Sequence, residues 1–556
     1  MRSATGNGPE GRRTGSGPAL DRTRAITAIA LAAAVSGLGV SGSFAPVTLY
    51  PLSFVALVPL LLATRHVGVW CGGAVGLLAG TVHYLSGFAF LAPAVAAFGD
   101  WSRLQGLALL LAFAALHGAR WGLFGAYSAW LGRAGGTRMG AGLRALAAAS
   151  CWVVLERLYP QVFPWYLGSA LGPDPILRQA AALGGVSGLS FAVVLVNAAA
   201  CEAIAPARPR RARLRMAILA AGTVAVLAVV GLVPSPGGGG VNVSRVALVQ
   251  AGPIPRSGDP ATDSEAAWAA YGDLSRAVRQ PVDLVVWPES VLQIYIRASP
   301  TWQARLHALA RELRAPILVG ALDRIDGTAG ELNSAYVVPA AADEPAQEAE
   351  PIRPVYYKRR PVPFAETWPS WLPTPPSRWW RTSGDFLPGD ALPLIEVPVT
   401  RGVSDENSWN GITGDPYRSP AEAQAAVSIC YEATLAGWFN AGVRNGAGLL
   451  INLTDDSWFA GTHAPQQHLE MTRLRAVETR RWLLRASHSG ISAILDERGD
   501  IAARLPFATA GTLVRAVPIR NGTTLYVRLG EWVVAGSAAV LLGVAAVAAA
   551  ARGRRG

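Results

Sequence analysis

The chain has 556 residues, room for about three ordinary domains or one large membrane unit. Hydrophobic residues make up 51% and charged residues 15%, against roughly 25% charged in soluble domains, and mean hydropathy is +0.29, which excludes a wholly soluble chain and a disordered one. The net charge of +12 suggests nucleic acid only until the arginines are located: they flank apolar runs, and no zinc-finger spacing, RNP-like motif, P-loop or GxGxxG accompanies them.

In chain order, a basic tail over residues 1–24 leads into a membrane domain, 25–233, with apolar segments near 25–41, 50–64, 67–90, 104–132, 142–158, 180–205 and 215–233. A further segment lies near 530–551. About 20 mostly apolar residues cross a bilayer, so the expected architecture is a polytopic α-helical membrane bundle of about eight spans. Arginine placement tests that count, because basic residues crowd the cytoplasmic loops. Arg22 and Arg24, Arg65, Arg133, Arg138 and Arg144, Arg208 to Arg215, and Arg552 to Arg555 fall in alternate loops, while the opposite loops hold Arg103, Arg157 and Arg178. Both termini, including the tail 552–556, are therefore expected in the cytoplasm, and everything between the seventh and eighth spans outside it. The residues after Arg12-Arg13 lack the apolar start of a twin-arginine signal, so the first span is expected to remain in place. Arg120 and Glu156 lie within spans, where charge is costly, which marks them as functional candidates, interhelix pairs or snorkelling side chains.

Residues 234–241, Pro-Ser-Pro and a run of glycines, read as a flexible linker. From 242 to 528, short β-rich runs alternate with amphipathic stretches, as in an α/β domain. Strands are expected at Arg245–Gln250, Leu284–Trp287, Ile317–Leu322, Ala335–Val338, Val355–Lys358, Leu394–Val397, Ala426–Cys430, Leu449–Leu453 and Ile491–Asp496. Helices are expected at Thr262–Arg279, Thr301–Arg314, Leu435–Arg444 and Gln466–Arg481, with a C-terminal transmembrane helix at 529–551. The Pro- and Trp-rich stretch 367–380 reads as a loop on an amphipathic surface, suited to a membrane interface.

Two scarcities point to chemistry. Lys358 is the only lysine among 49 basic residues, so a strong arginine bias has spared one compact ammonium, which a guanidinium does not mimic. Of four cysteines, Cys71, Cys151 and Cys201 fall in apolar runs, whereas Cys430 stands outside them with no disulfide partner, as a buried spectator or a reactive thiol. Glu289, Lys358 and Cys430 each end a predicted strand, where open α/β sheets carry their sites. Singly they read as a helix cap, a solvated charge and a core residue. Together they are the parts for covalent acyl transfer: a carboxylate takes the thiol proton, the thiolate attacks a carbonyl, and the ammonium stabilises the oxyanion. His463 and His468 lack a third ligand in a set pattern, so no metal is expected, and no cofactor motif is present.

At these residues the chain resembles the nitrilase superfamily and, with its membrane spans, the apolipoprotein N-acyltransferase family. The resemblance is carried by Asp283-Leu-Val-Val-Trp-Pro-Glu-Ser290, Asn333-Ser-Ala335, Tyr357-Lys-Arg-Arg-Pro-Val-Pro-Phe-Ala-Glu366, Ile429-Cys-Tyr-Glu432, Ile451-Asn-Leu-Thr-Asp-Asp-Ser-Trp-Phe459 and Gln467-His-Leu469 through Arg475-Ala-Val-Glu478, and in the membrane half by Phe163-Pro-Trp165 and Gly185-Val-Ser-Gly-Leu-Ser-Phe191. It implies an extracytoplasmic αββα sandwich on a multi-pass protein of the bacterial cytoplasmic membrane, with Glu289 as general base, Cys430 as nucleophile and Lys358 as oxyanion stabiliser. Glu366 would support the triad, and Tyr431, Glu432 and Trp458 would complete the pocket. The implied partners are a membrane phospholipid as acyl donor, a diacylglyceryl-apolipoprotein as acceptor and the lipid bilayer, with no nucleic acid, and the protein is expected to be a monomer. The rival readings are a membrane-tethered amidase using water and, in another class, a catalytically dead scaffold or transporter. Departures from the family pattern are Pro361 before Val-Pro-Phe, Ala365 for glycine, an insertion over 403–420, Asp455 for asparagine, and His488-Ser489 for Asn-Thr.

Overall fold

The structure, a computed structural model, describes residues 18–65, 67–98, 102–134, 139–206, 208–233, 242–325, 327, 330–340, 350–368, 373, 386–401 and 421–553. The start of the basic tail, the linker 234–241, most of the Trp-rich stretch, the insertion 403–420 and the last three residues lie outside the described residues.

Among the described residues, six helices are long and apolar enough to cross a membrane: Arg22–Gly42, Val69–Gly87, Arg103–Arg133, Leu177–Ala203, Arg210–Leu232 and Trp532–Ala550. Two expected spans differ from this pattern. Pro51 and Pro59 each stand in the first turn of a new helix, so residues 50–64 fold as a 3-10 turn, Tyr50–Phe54, and a short helix, Val58–Thr64. The freed backbone is satisfied by neighbours: Leu57 N–H donates to Asn197 Oδ1 (2.8 Å) and Leu60 N–H to Ser36 Oγ (2.9 Å). The other, Ala141–Leu158, is a continuous helix that carries Arg144, Glu156 and Arg157.

Arg120 and Glu156 are both buried inside the bundle, each held by its own polar partners. Arg120 donates to Tyr84 Oη (3.1 Å), Gln161 Oε1 (3.2 Å) and the Trp165 carbonyl (3.3 Å), and Glu156 accepts from Trp152 Nε1 (3.0 Å) and Leu167 N–H (2.7 Å). Two helices meet through glycine. A Cβ on Gly76 would stand 2.1 Å from the Trp121 carbonyl oxygen, and one on Gly125 2.3 Å from that of Gly72, so these backbones touch directly. At one end of the bundle Glu202 gathers Arg65 (2.6 Å), Arg144 (2.9 Å) and Arg208 (2.6 Å), three arginines expected on the same side. The opposite end carries the α/β domain, where Gln467 donates to the carbonyls of Ala45 and Gly87 and Arg178 pairs with Asp500.

Thirteen strands are found among the described residues: β1 (Asn242–Gln250), β2 (Leu284–Val286), β3 (Leu292–Tyr295), β4 (Ile317–Asp323), β5 (Leu332–Val338), β6 (Pro354–Tyr357), β7 (Leu394–Arg401), β8 (Ala421–Ile429), β9 (Leu449–Thr454), β10 (Trp482–Ser487), β11 (Ala493–Leu495), β12 (Ile501–Arg504) and β13 (Gly511–Pro518). One sheet runs β13-β1-β2-β4-β5-β6 with β3 on β4, and the other β7-β8-β9-β10-β11-β12. A two-residue contact between β1 and β7 joins them. Side chains alternate along each strand, so Val246 and Leu248 of β1 meet Val427 of β8 and Ile451 of β9 between the sheets, while Ala247 and Val249 face outward. Helices Pro260–Arg276 and Pro300–Leu313 cover one outer face, and Asn440–Arg444 and Ala464–Thr479 the other, completing an αββα sandwich.

The helix expected at 435–444 begins only at Asn440, because Gly437 takes φ +69° and breaks it. Strand β10 follows the preceding helix with no Gly or Pro to mark the turn, since Arg480 itself adopts φ +55°.

Candidate active site

Three strand ends converge on one site. Glu289 follows β2, Lys358 follows β6 and Cys430 follows β8. The Glu289 loop passes so close to β4 that a Cβ on Gly320 would stand 2.2 Å from the Pro288 carbonyl oxygen. Glu289 Oε1 accepts from Asn333 Nδ2 (2.7 Å) and Lys358 Nζ (3.0 Å), and its Oε2 accepts from the Asp455 backbone N–H (2.9 Å). Lys358 Nζ also donates to Glu366 Oε1 (2.7 Å), whose second oxygen accepts from Val362 N–H (2.7 Å). Lys358 is 1% exposed and Glu289 5%, so both charges depend on each other and on these hydrogen bonds.

Cys430 adopts φ +58°, in the left-handed region that a side chain rarely enters, which turns the chain sharply out of β8. Glu432 holds that turn. Its Oε2 accepts from Ile429 N–H and Tyr356 Oη (both 2.8 Å), and its Oε1 from the N–H groups of Arg359 (2.6 Å) and Arg360 (3.0 Å). One buried carboxyl group thus ties the Cys430 turn to the chain just after Lys358. Asn452 Nδ2 donates to the Cys430 carbonyl (3.0 Å).

Burial pushes the Cys430 thiol well above its ordinary value, with the Glu289 charge adding to the shift and Lys358 opposing it, so the thiol is protonated at rest. Burial also raises Glu289, against the pull of Lys358. For Lys358, burial works against the charge, but Cys430, Glu289 and Glu366 outweigh it and hold the ammonium well above the usual lysine value. The arrangement brings a carboxyl group, a buried ammonium and a thiol within electrostatic reach of one another, the parts that covalent acyl transfer needs.

Glu366, Tyr431, Glu432 and Trp458 occupy different places around these three. Glu366 touches Lys358 directly, and Glu432 acts on the backbone. Tyr431 donates to the Pro361 carbonyl (3.3 Å), and its ring lies 6.4 Å edge-on to Phe163 of the membrane half, 6.0 Å from Lys358 Nζ. Trp458 lies under the Arg256 guanidinium, 5.7 Å from its ring centroid. At the departures, Ala365 and Glu366 N–H both donate to the Val362 carbonyl, and His488 Nδ1 bonds Tyr271 Oη (2.8 Å). His468 bonds Asp456 (2.9 Å), which Arg485 also binds (2.6 Å) while donating to Asn452 (2.8 Å). Asn333, Asn452, Asp456 and Arg485 received no role from sequence reasoning, although the first three lie in segments that carry the family resemblance.

This site on this sandwich defines a carbon-nitrogen hydrolase domain, and the carbon-nitrogen hydrolase profile matches residues 245–524. The profile of the apolipoprotein N-acyltransferase N-terminal domain matches residues 36–199. Apolipoprotein N-acyltransferases of Geobacter metallireducens (30% identical, 93% of this chain and 95% of that one), Azotobacter vinelandii (30%, 90% and 91%) and Gloeobacter violaceus (31%, 95% and 94%) are similar along nearly their whole length. The chain belongs to the apolipoprotein N-acyltransferase family. Among solved structures, a CN-hydrolase superfamily protein of Xanthomonas campestris (15% identical, TM-score 0.33, 50% of this chain and 90% of that one) and an amidase of Nesterenkonia (18%, 0.33, 52% and 97%) are similar.

Proposed function

We propose that this bacterial membrane acyltransferase moves an acyl chain from a membrane phospholipid to the α-amino group of a diacylglyceryl-cysteine at a lipoprotein N-terminus, through a thioester on Cys430. The convergence of Glu289, Lys358 and Cys430, on a domain seated directly on apolar helices, carries this reading. Glu289 takes the thiol proton, and the sulfur attacks the ester carbonyl while Lys358 stabilises the oxyanion. Collapse breaks the ester C–O bond, Glu289 returns the proton to the departing glycerol oxygen, and lysophospholipid leaves. The amine then attacks the thioester, its proton passes to Glu289, and the C–S bond breaks to give the amide and the free thiol. Glu366 supports Lys358, while Tyr431, Glu432 and Trp458 shape the pocket. Mass spectrometry of the purified protein incubated with phospholipid tests this: an acyl adduct is expected on Cys430, discharged by a diacylglyceryl-cysteine peptide. Release of free fatty acid in the presence of that peptide, with no amide formed, would support the water-using amidase instead.

The same reading has about eight crossings, both termini in the cytoplasm and the α/β domain outside. The alternation of arginines and the meeting of Arg65, Arg144 and Arg208 on Glu202 support it. A reporter fused after Pro206 should read cytoplasmic and one near Gly238 extracytoplasmic; reversal at either point would overturn the topology.

A further inference from the structure

Asp455 stands beside Glu289 in an unusual way. Its backbone N–H donates to Glu289 Oε2 (2.9 Å), so its own carboxylate is held near the one that governs the thiol. Two like charges this close raise each other's proton affinity, and the Asp455 charge does act on Glu289 in that direction. The Asp455 carboxylate accepts from Ser457 N–H (2.9 Å) through Oδ1 and from Arg256 Nη2 (3.0 Å) through Oδ2. Arg256 comes from the loop after β1, across the site from the loop after β9 that carries Asp455.

The other nearby charges are engaged elsewhere. Lys358 lies between Glu289 and Glu366, facing Cys430. Arg485 is spent on Asp456, which also holds His468. On the Asp455 side, His488 bonds Tyr271 through Nδ1 and also feels the charges of Asp455 and Arg256, but burial lowers its proton affinity and keeps it from acting as a cation there. Among the described residues, Arg256 is the cation that pairs with Asp455, with Trp458 beneath its guanidinium.

We propose that Arg256 and Asp455 form a charge-compensating clamp: Asp455 positions Glu289 through its main chain, and Arg256 cancels the carboxylate this brings to the site, making both positioning residues for the acylation chemistry. The inference rests on the reading of Glu289 as the base. Its sign is specific. Without Arg256, the uncompensated Asp455 charge raises the proton affinity of Glu289 and Cys430. Without the Asp455 carboxylate, Arg256 remains as an excess positive charge and lowers it. A clamp that merely tied two loops together would give no such opposition.

The test is the pH dependence of Cys430 alkylation by iodoacetamide in the full-length protein, read at the Cys430 peptide by mass spectrometry, which needs no lipid substrate. Arg256→Gln should move the midpoint up and Asp455→Asn should move it down, each by about half a unit to one unit, since Arg256 is partly exposed and screened. The double variant should return near the wild-type midpoint. Shifts of the same sign, no shift, or a double variant no closer to wild type than the singles would overturn the clamp; if one single variant fails to fold, the other and the double still decide. Phospholipid-dependent acylation by Glu289→Gln separates the two levels: loss of acylation without opposed shifts rejects the clamp alone, whereas wild-type acylation rejects the base and the clamp with it.

Discussion

Cys430→Ala is expected to abolish acyl transfer while leaving membrane levels of the protein unchanged. The residue is a free thiol with no disulfide, and its main structural contacts run through its backbone, to Asn452 and through the turn held by Glu432. Cys430→Ser should be almost as inactive, because an alcohol is a far weaker acid than a thiol and the carboxylate opposite is set for sulfur. Cys151 and Cys201 are buried in the bundle and Cys71 lies at the other end of a membrane helix, so no other thiol can substitute. Rates of N-acylation at matched protein levels decide the matter, and a wild-type rate in the alanine variant would remove Cys430 from the mechanism.

Lys358→Arg should fail nearly as badly as Lys358→Ala, by about 10²- to 10³-fold in the rate of Cys430 acylation, the usual cost of losing one oxyanion donor. The ammonium is closed in, donating to Glu289 and Glu366 at 3.0 and 2.7 Å with 1% of the side chain exposed. A planar guanidinium keeps the charge but needs more room and a different donor geometry, so it would displace either a carboxylate or the incoming carbonyl. The arginine bias of the chain makes the comparison pointed, since arginine serves at every other basic position. Near-normal acylation by Lys358→Arg would show that charge alone suffices there.

The three candidate site residues were legible because each stands at or just after a strand end and two are scarce: one lysine in the chain, one cysteine outside the apolar runs. The sandwich was legible where short β-rich runs were bounded by turns, as at β1, β2 and β9. It was hidden where a side-chain residue made the turn, as Arg480 does ahead of β10. The Arg256–Asp455 pair joins residues 199 positions apart, and no local spacing announces it. Asp455 was visible as a departure, but its compensation depends on a loop approach that only the fold supplies. Similarly, the prolines that interrupt the span at 50–64 are visible in the sequence, but nothing local announces that Asn197 mends the break they make.

The helix Ala464–Thr479 is buried on both sides. Leu469 and Ala476 pack into the sandwich, whereas Met471, Leu474 and Val477 belong to the same core as Leu171, Val186 and Leu189 of the membrane half. Its last turn reaches further: Glu478 accepts the Val186 N–H (2.9 Å) just where Gly185, at φ +65°, interrupts the helix Ala181–Ala203. The hydrolase half therefore has no outer surface of its own on this side, and its α layer doubles as bundle interior. Excised as a soluble fragment, it would bare three core side chains worth about 1.5–3 kcal/mol apiece and the Arg475–Glu478 pair, and it would aggregate or melt. The helices up to Leu232 supply part of the core on which the sandwich closes, so a lesion in those helices is also a lesion in the enzyme's fold.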